Sequence, residues 1–83
     1  MNIEGTYTRK RDGVICSYQV ECRGLGGAAL VAWDASVYVD DRLVGTPGGQ
    51  MLASGLSLEA LEQAVRDTVE RIIEGNVGIH IFD

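Results

Sequence analysis

Between residues 14 and 23 the chain reads VICSYQVECR, with Val14, Cys16, Tyr18, Val20 and Cys22 alternating with Ile15, Ser17, Gln19, Glu21 and Arg23. A two-residue period belongs to an extended strand with one apolar and one mostly polar face. Such a strand needs neighbours, and the flanking residues supply them. Asp12-Gly13 is a hairpin signal, because both residue types tolerate positive φ. It predicts a preceding strand over about 2–10, with Ile3, Gly5 and Tyr7 on one face.

The run ALVAWDASVYV, residues 29–39, repeats the pattern. Val31, Trp33, Ala35, Val37 and Val39 share a face opposite Asp34 and Ser36, and the strand is expected to pair antiparallel with 14–23 through the glycine-rich turn 24–28. A further turn at Asp40-Asp41 allows Arg42–Gly45 to fold back as a short fourth strand. Residues 45–55, GTPGGQMLASG, read as a flexible connection from sheet to helix.

The period then changes. Leu58, Leu61, Val65, Val69 and Ile72 form one stripe at helical spacing, predicting a helix over 57–74. Ser57 is a fitting N-cap, Leu56 and Leu61 occupy the two positions of a hydrophobic staple, and Gly75 stands where a left-handed cap is wanted. Glu62 with Arg66, and Asp67 with Arg71, are spaced to pair on the wet side. The tail VGIHIFD offers a short edge strand. The expected fold is α+β: an antiparallel sheet of three or four strands with one face covered by a single C-terminal helix. The expected core is Tyr7, Val14, Cys16, Tyr18, Val20, Val31, Trp33, Val37, Leu61, Val65, Val69 and Ile72.

Eighty-three residues suffice for a single domain. The longest apolar run, Ala28 to Trp33, is far too short for a membrane span, and the amino terminus has no apolar stretch of the secretory kind. Cys16 and Cys22 lie on one strand face with ~20 Å between their Cα atoms, too far apart to bridge. Two unbridged buried thiols point to the cytoplasm. A net charge of −5 disfavours general affinity for nucleic acid or an anionic membrane.

The chemistry-bearing motifs have structural readings beside the functional ones. GLGGAA at 24–29 matches a relaxed dinucleotide fingerprint, but that fingerprint needs a helix straight after the glycines, and here a strand pattern follows. Hence no cofactor is expected. Arg9, Lys10 and Arg11 beside a turn offer three phosphate contacts, or else charge an edge strand against aggregation, which is the preferred reading. Met51 and Leu52 either fold back over the edge of the core or await a partner, with folding back preferred. His80 stands alone between Ile79 and Ile81, and a structural role is expected of it. Asp34, Asp40 and Asp41 have no nucleophile at a workable spacing. No catalytic or metal-ligating residues are assigned.

Two resemblances accompany these residues. Pro47-Gly48-Gly49-Gln50 resembles the signature of peptide-release factors, which implies peptidyl-tRNA hydrolysis assisted at Gln50. The acidic chain, ending in HIFD, lacks the basic tail with which small members of that family engage ribosomal RNA. The order of strands then helix, with Ser57, Glu59 and Leu61 opening the helix, resembles the amino-terminal domain of HicB-type antitoxins. That likeness implies an antitoxin-like module, with nucleic-acid binding through the basic hairpin as the alternative function. The chain also resembles small proteobacterial sheet-plus-helix proteins of no assigned function. The leading expectation is a non-enzymatic cytoplasmic interaction module that binds a protein partner or itself. If Ile15, Leu30 and Tyr38 form a second apolar patch on the outer sheet face, self-association would cover it.

Overall fold

In the computed structural model, which describes residues 1–24 and 29–81, five strands precede one helix. The elements are β1 (Asn2–Thr8), β2 (Ile15–Gly24), β3 (Leu30–Val39), β4 (Arg42–Gly45), β5 (Gly48–Leu52) and α1 (Leu58–Gly75). All pairings are antiparallel, in the order β1-β2-β3-β4, with β5 also on β3. The α+β architecture expected from the periodicity is the one found.

The two turns expected from sequence close differently. Asp40 and Asp41 both have positive φ, 51° and 64°, so a two-residue turn joins β3 to β4 with Val39 opposite Arg42. Asp12-Gly13 is not a two-residue turn. Arg9 and Val14 are joined by a backbone bond of 2.9 Å, and residues 10–13 form the loop. Only Gly13 needs positive φ there, at 75°, while the Asp12 carboxylate accepts from the Val14 amide at 3.1 Å.

β4 and β5 are two halves of one edge strand. Opposite β3, Leu43 faces Tyr38 and Gly45 faces Val37, so Val44 is an extra residue and its bulge turns that side chain into the core. Farther on, Ala35 donates to the Pro47 carbonyl at 2.8 Å. Proline has no amide to return the bond, and the ladder lapses there before resuming at Gly48. Residues 45–55 are therefore not the loop that their glycines suggested. The extended course is held by Trp33, whose indole lies against Gly49: a Cβ on that glycine would stand 3.2 Å from the ring. The connection to the helix is only residues 53–57.

The helix covers the face carrying Ile3, Cys16, Tyr18, Val20, Cys22, Trp33, Ala35, Val37 and Val44, laying Leu61, Val65, Val69 and Ile73 upon it. Each such side chain taken from water contributes about 1.5–3 kcal/mol. Ile73, not Ile72, completes the buried stripe, because the 3.6-residue period carries the contact one position on; Ile72 is half-buried, as are Tyr7, Val14 and Val31. Leu58, placed in that stripe by its spacing, is 75% exposed. Ser57 caps the helix by accepting from the Ala60 amide at 3.1 Å. At the other end Asn76 takes the left-handed conformation expected of Gly75, and its amide bonds the Ile72 and Ile73 carbonyls.

The tail does not form a strand within the described residues. It docks beside β4, with the His80 amide donating to the Val44 carbonyl at 2.7 Å and Arg42 donating to the Ile81 carbonyl. Ile79 and Ile81 are buried against the core, Ile79 in the space that Gly45 leaves without a side chain. Cys16 and Cys22 are free buried thiols, and burial pushes both up from the ordinary thiol range. No helix among the described residues is long and apolar enough to cross a membrane.

Candidate interaction surface

The sheet face away from α1 has no covering element among the described residues. Its side chains follow from the registers: Thr6, Ser17, Tyr38 and Leu43 lie in one row, Glu4, Gln19 and Ser36 in the next. Then come Asn2, Glu21, Asp34 and Gly48, followed by Arg23, Ala32 and Gln50, and last Leu30 with Leu52. The middle is polar, with Arg23 and Asp34 paired at 2.6 Å on the surface. Both ends are apolar. Ile15 is 64% and Leu43 52% exposed at the hairpin end, flanking the half-buried Tyr38, and Leu52 is 70% exposed at the other. The second patch expected around Ile15, Leu30 and Tyr38 is thus divided, with Leu30 in the far row beside Leu52.

The two edges of the sheet, β1 on one side and β4 followed by β5 on the other, are protected differently. On β1, the outward carbonyl of Glu4 accepts from Arg66 of the helix at 2.8 Å. On β4 the tail occupies Val44. β5 has no strand or tail beyond it among the described residues.

Met51 and Leu52 separate, as neighbours on a strand must. Met51 is half-buried and packs on the core, as preferred from sequence, whereas Leu52 points to solvent on the uncovered face. Gly48, Gly49 and Gln50 belong to the same strand.

Of the three cations of the basic hairpin, Arg9 does not lie at the surface. Arg9 is 3% exposed, forks onto the Asp12 carboxylate at 2.7 and 3.1 Å, and donates to the Asn76 side-chain oxygen at 2.8 Å and the Ile73 carbonyl at 3.5 Å. A guanidinium at the carbonyl end of a helix meets the negative end of its dipole. Arg9 therefore ties the first turn to the helix terminus, and it neither guards an edge nor remains free for phosphate. Burial acts to raise the Asp12 carboxyl, but the Val14 amide and Arg9 outweigh it and hold it below the ordinary range.

Glu74 completes the junction. Its carboxylate accepts from the Lys10 amide at 2.7 Å, the Arg11 amide at 3.2 Å and the Tyr7 hydroxyl at 2.7 Å. These donors, the Lys10 amide first, hold its carboxyl below the ordinary range, and the same carboxylate raises the Tyr7 hydroxyl. Lys10 and Arg11 stay exposed, with Arg11 reaching the Glu74 carbonyl at 3.3 Å.

Helix positions 62, 66, 70 and 74 recur every fourth residue and form a polar seam along β1 and β2. Arg66 pairs with Glu62 at 3.3 Å, and Glu70 accepts from Tyr18 at 2.6 Å. The pair expected between Asp67 and Arg71 is not made: Asp67 accepts instead from Gln63 at 2.8 Å. The spacing of the seam could be read from sequence, but its tyrosine partners could not.

Among the described residues no group of three His, Cys, Asp or Glu side chains gathers closely enough to hold a metal. His80 and Asp34, Asp40 and Asp41 are all exposed. The glycine motif at 24–29 lies mostly outside the described residues, 25–28 being among those not described; the chain after it, Leu30–Val39, is strand. No family model matches this chain, and no curated protein or solved structure shows significant similarity to it.

Proposed function

We propose that this chain is a small non-catalytic module of the cytoplasm whose task is to bind a protein, either a second copy or a different partner. The observation that carries the reading is the uncovered sheet face, which keeps Ile15, Leu43 and Leu52 exposed at its two ends. An antiparallel sheet with one wet face usually presents polar side chains there, so large aliphatic residues on it favour contact with another surface. The nucleic-acid alternative loses support once Arg9 is engaged, since Lys10 and Arg11 then face a net charge of −5. Release-type hydrolysis requires Gln50 at the tip of a loop, whereas here it lies inside a paired strand.

The test compares the wild type with an Ile15→Glu, Leu43→Glu, Leu52→Glu triple variant. Light scattering follows each across concentration, and each is used to capture proteins from an extract of its own cells. Association or capture by the wild type that the folded variant loses is the expected result. A wild type that stays monomeric and retains nothing beyond what the variant retains overturns the reading.

A further inference from the structure

We infer that the β5 edge is a self-pairing site, through which two copies join their sheets antiparallel about a two-fold axis at Gln50; this deepens the interaction reading and rests on it. The backbone argues first. Ala53 donates to the Ala29 carbonyl and Ala35 to the Pro47 carbonyl, so the odd-numbered residues of this strand make the ladder with β3. The N–H and C=O groups of Gly48, Gln50 and Leu52 therefore face away from β3. None of these three amides donates to any described residue.

Charge argues second. Residues 43–58 contain no Asp, Glu, Lys, Arg or His, in a chain of net charge −5. Edge strands are ordinarily protected by charge, by a covering segment or by shortness. β1 carries Glu4 on its edge with Arg66 bonded to it, and β4 is covered by the tail. β5 is five residues long and is preceded on its edge by the Val44 bulge and Pro47. It has neither charge of its own nor a covering segment among the described residues, and residues 43–58 of a second copy bring it no charge.

Self-complementarity selects the occupant. With Gln50 opposite the Gln50 of the second copy, Gly48 of each chain faces Leu52 of the other, and each outward residue exchanges two backbone bonds with its opposite. The exposed Leu52 then lies over a residue without a side chain, and Met51 faces Gly49 in the same way. The two Gln50 amides meet on the uncovered face, where each can donate to and accept from the other. The contact is isologous and closes at two copies.

Sedimentation equilibrium on the full chain tests this. The wild type is expected at twice the chain mass at high concentration. Gln50→Pro removes only an outward N–H and places its ring on the outer edge, so it should keep the wild-type circular dichroism and unfolding midpoint while remaining at single mass. Leu52→Lys should weaken association at least tenfold, and Ile15→Lys on the hairpin end should leave it unchanged. In the wild type the Gly48, Gln50 and Leu52 amides should exchange with solvent at least tenfold more slowly at high than at low concentration. A strictly monomeric wild type overturns the inference, while capture of a different partner would still uphold the interaction reading. A dimer that Gln50→Pro and Leu52→Lys leave intact, or that Ile15→Lys alone dissociates, also overturns it and moves self-association to another surface.

Discussion

The Tyr18 hydroxyl donates to Glu70 at 2.6 Å directly beneath Gly5, where a Cβ would stand 2.6 Å from that same oxygen. β1, β2 and the helix thus meet at a point where an added Cβ would have to displace the ends of the Tyr18 and Arg66 side chains, the Arg66 guanidinium standing 2.7 Å from it. Gly5→Ala should therefore destabilise the chain by about 1–3 kcal/mol, the usual cost of overpacking. Gly13→Ala meets no atom within 4 Å and suffers only from its φ of 75°. Urea unfolding of both variants checks this: a Gly5→Ala midpoint equal to wild type would show that Tyr18 and Arg66 yield freely.

Arg9 and its neighbours Lys10 and Arg11 should behave as different kinds of residue. Arg9→Ala removes the donor to the Asn76 side-chain oxygen and one of the two donors to the Ile73 carbonyl, and leaves the Asp12 carboxylate without its guanidinium, which should cost about 2–3 kcal/mol. Lys10→Ala and Arg11→Ala should each stay within about 0.5 kcal/mol of wild type. Equal small effects at all three positions, by thermal or urea unfolding, would contradict the burial of Arg9.

Glu74 sets an acid limit. A carboxyl held below its ordinary value of 4.5 in the folded chain contributes stability that is present above the unfolded pKa and lost as pH falls through the folded one. Asp12, lowered from 3.8, acts in the same sense. Stability should accordingly decline below about pH 4. Glu74→Gln should be less stable than wild type at neutral pH and show a shallower acid decline. Unfolding midpoints across the acid range read this, and parallel curves for the two proteins would count against it.

Tyr18 sets an alkaline limit by the opposite sign. Burial, then its bond to Glu70, raises its hydroxyl above the ordinary 10.0, so the folded chain keeps the proton that the unfolded chain gives up. That contribution is complete below the unfolded pKa and lost as pH rises through the folded one. Stability should fall above about pH 10, and Tyr18→Phe should lessen the fall while costing about 1 kcal/mol at neutral pH. Absorbance titration of tyrosinate alongside unfolding would expose an unshifted hydroxyl.

Asp41→Gly should stabilise. Asp40 and Asp41 place two like charges at positive φ, and a glycine at the second position is the better residue for such a turn. Relief of about 1–2 kcal/mol of left-handed strain exceeds the entropic cost of glycine, about 0.5–1 kcal/mol. A lowered urea midpoint would be the contrary result.

What residues dictate over short distances was legible without coordinates. The alternation of 14–23 and 29–39, the Asp40-Asp41 turn, the Ser57 cap and the presence of the helix each depend on neighbours within a few positions, and each formed as read. The stripe kept Leu61, Val65 and Val69 but lost Leu58 to solvent and took Ile73 in place of Ile72. Distant partners decided the rest. Gly48-Gly49 looks like a loop until Trp33 lies over Gly49 and β3 offers a ladder, because glycine has no strand preference of its own and takes the conformation its surroundings stabilise. Arg9 looks like one of three surface cations until the helix terminus arrives beside it, since charge pattern cannot say which side chain will find buried partners. The cap passed from Gly75 to Asn76 because the helix kept the Ile73 contact before ending, and only packing against the sheet could set that length.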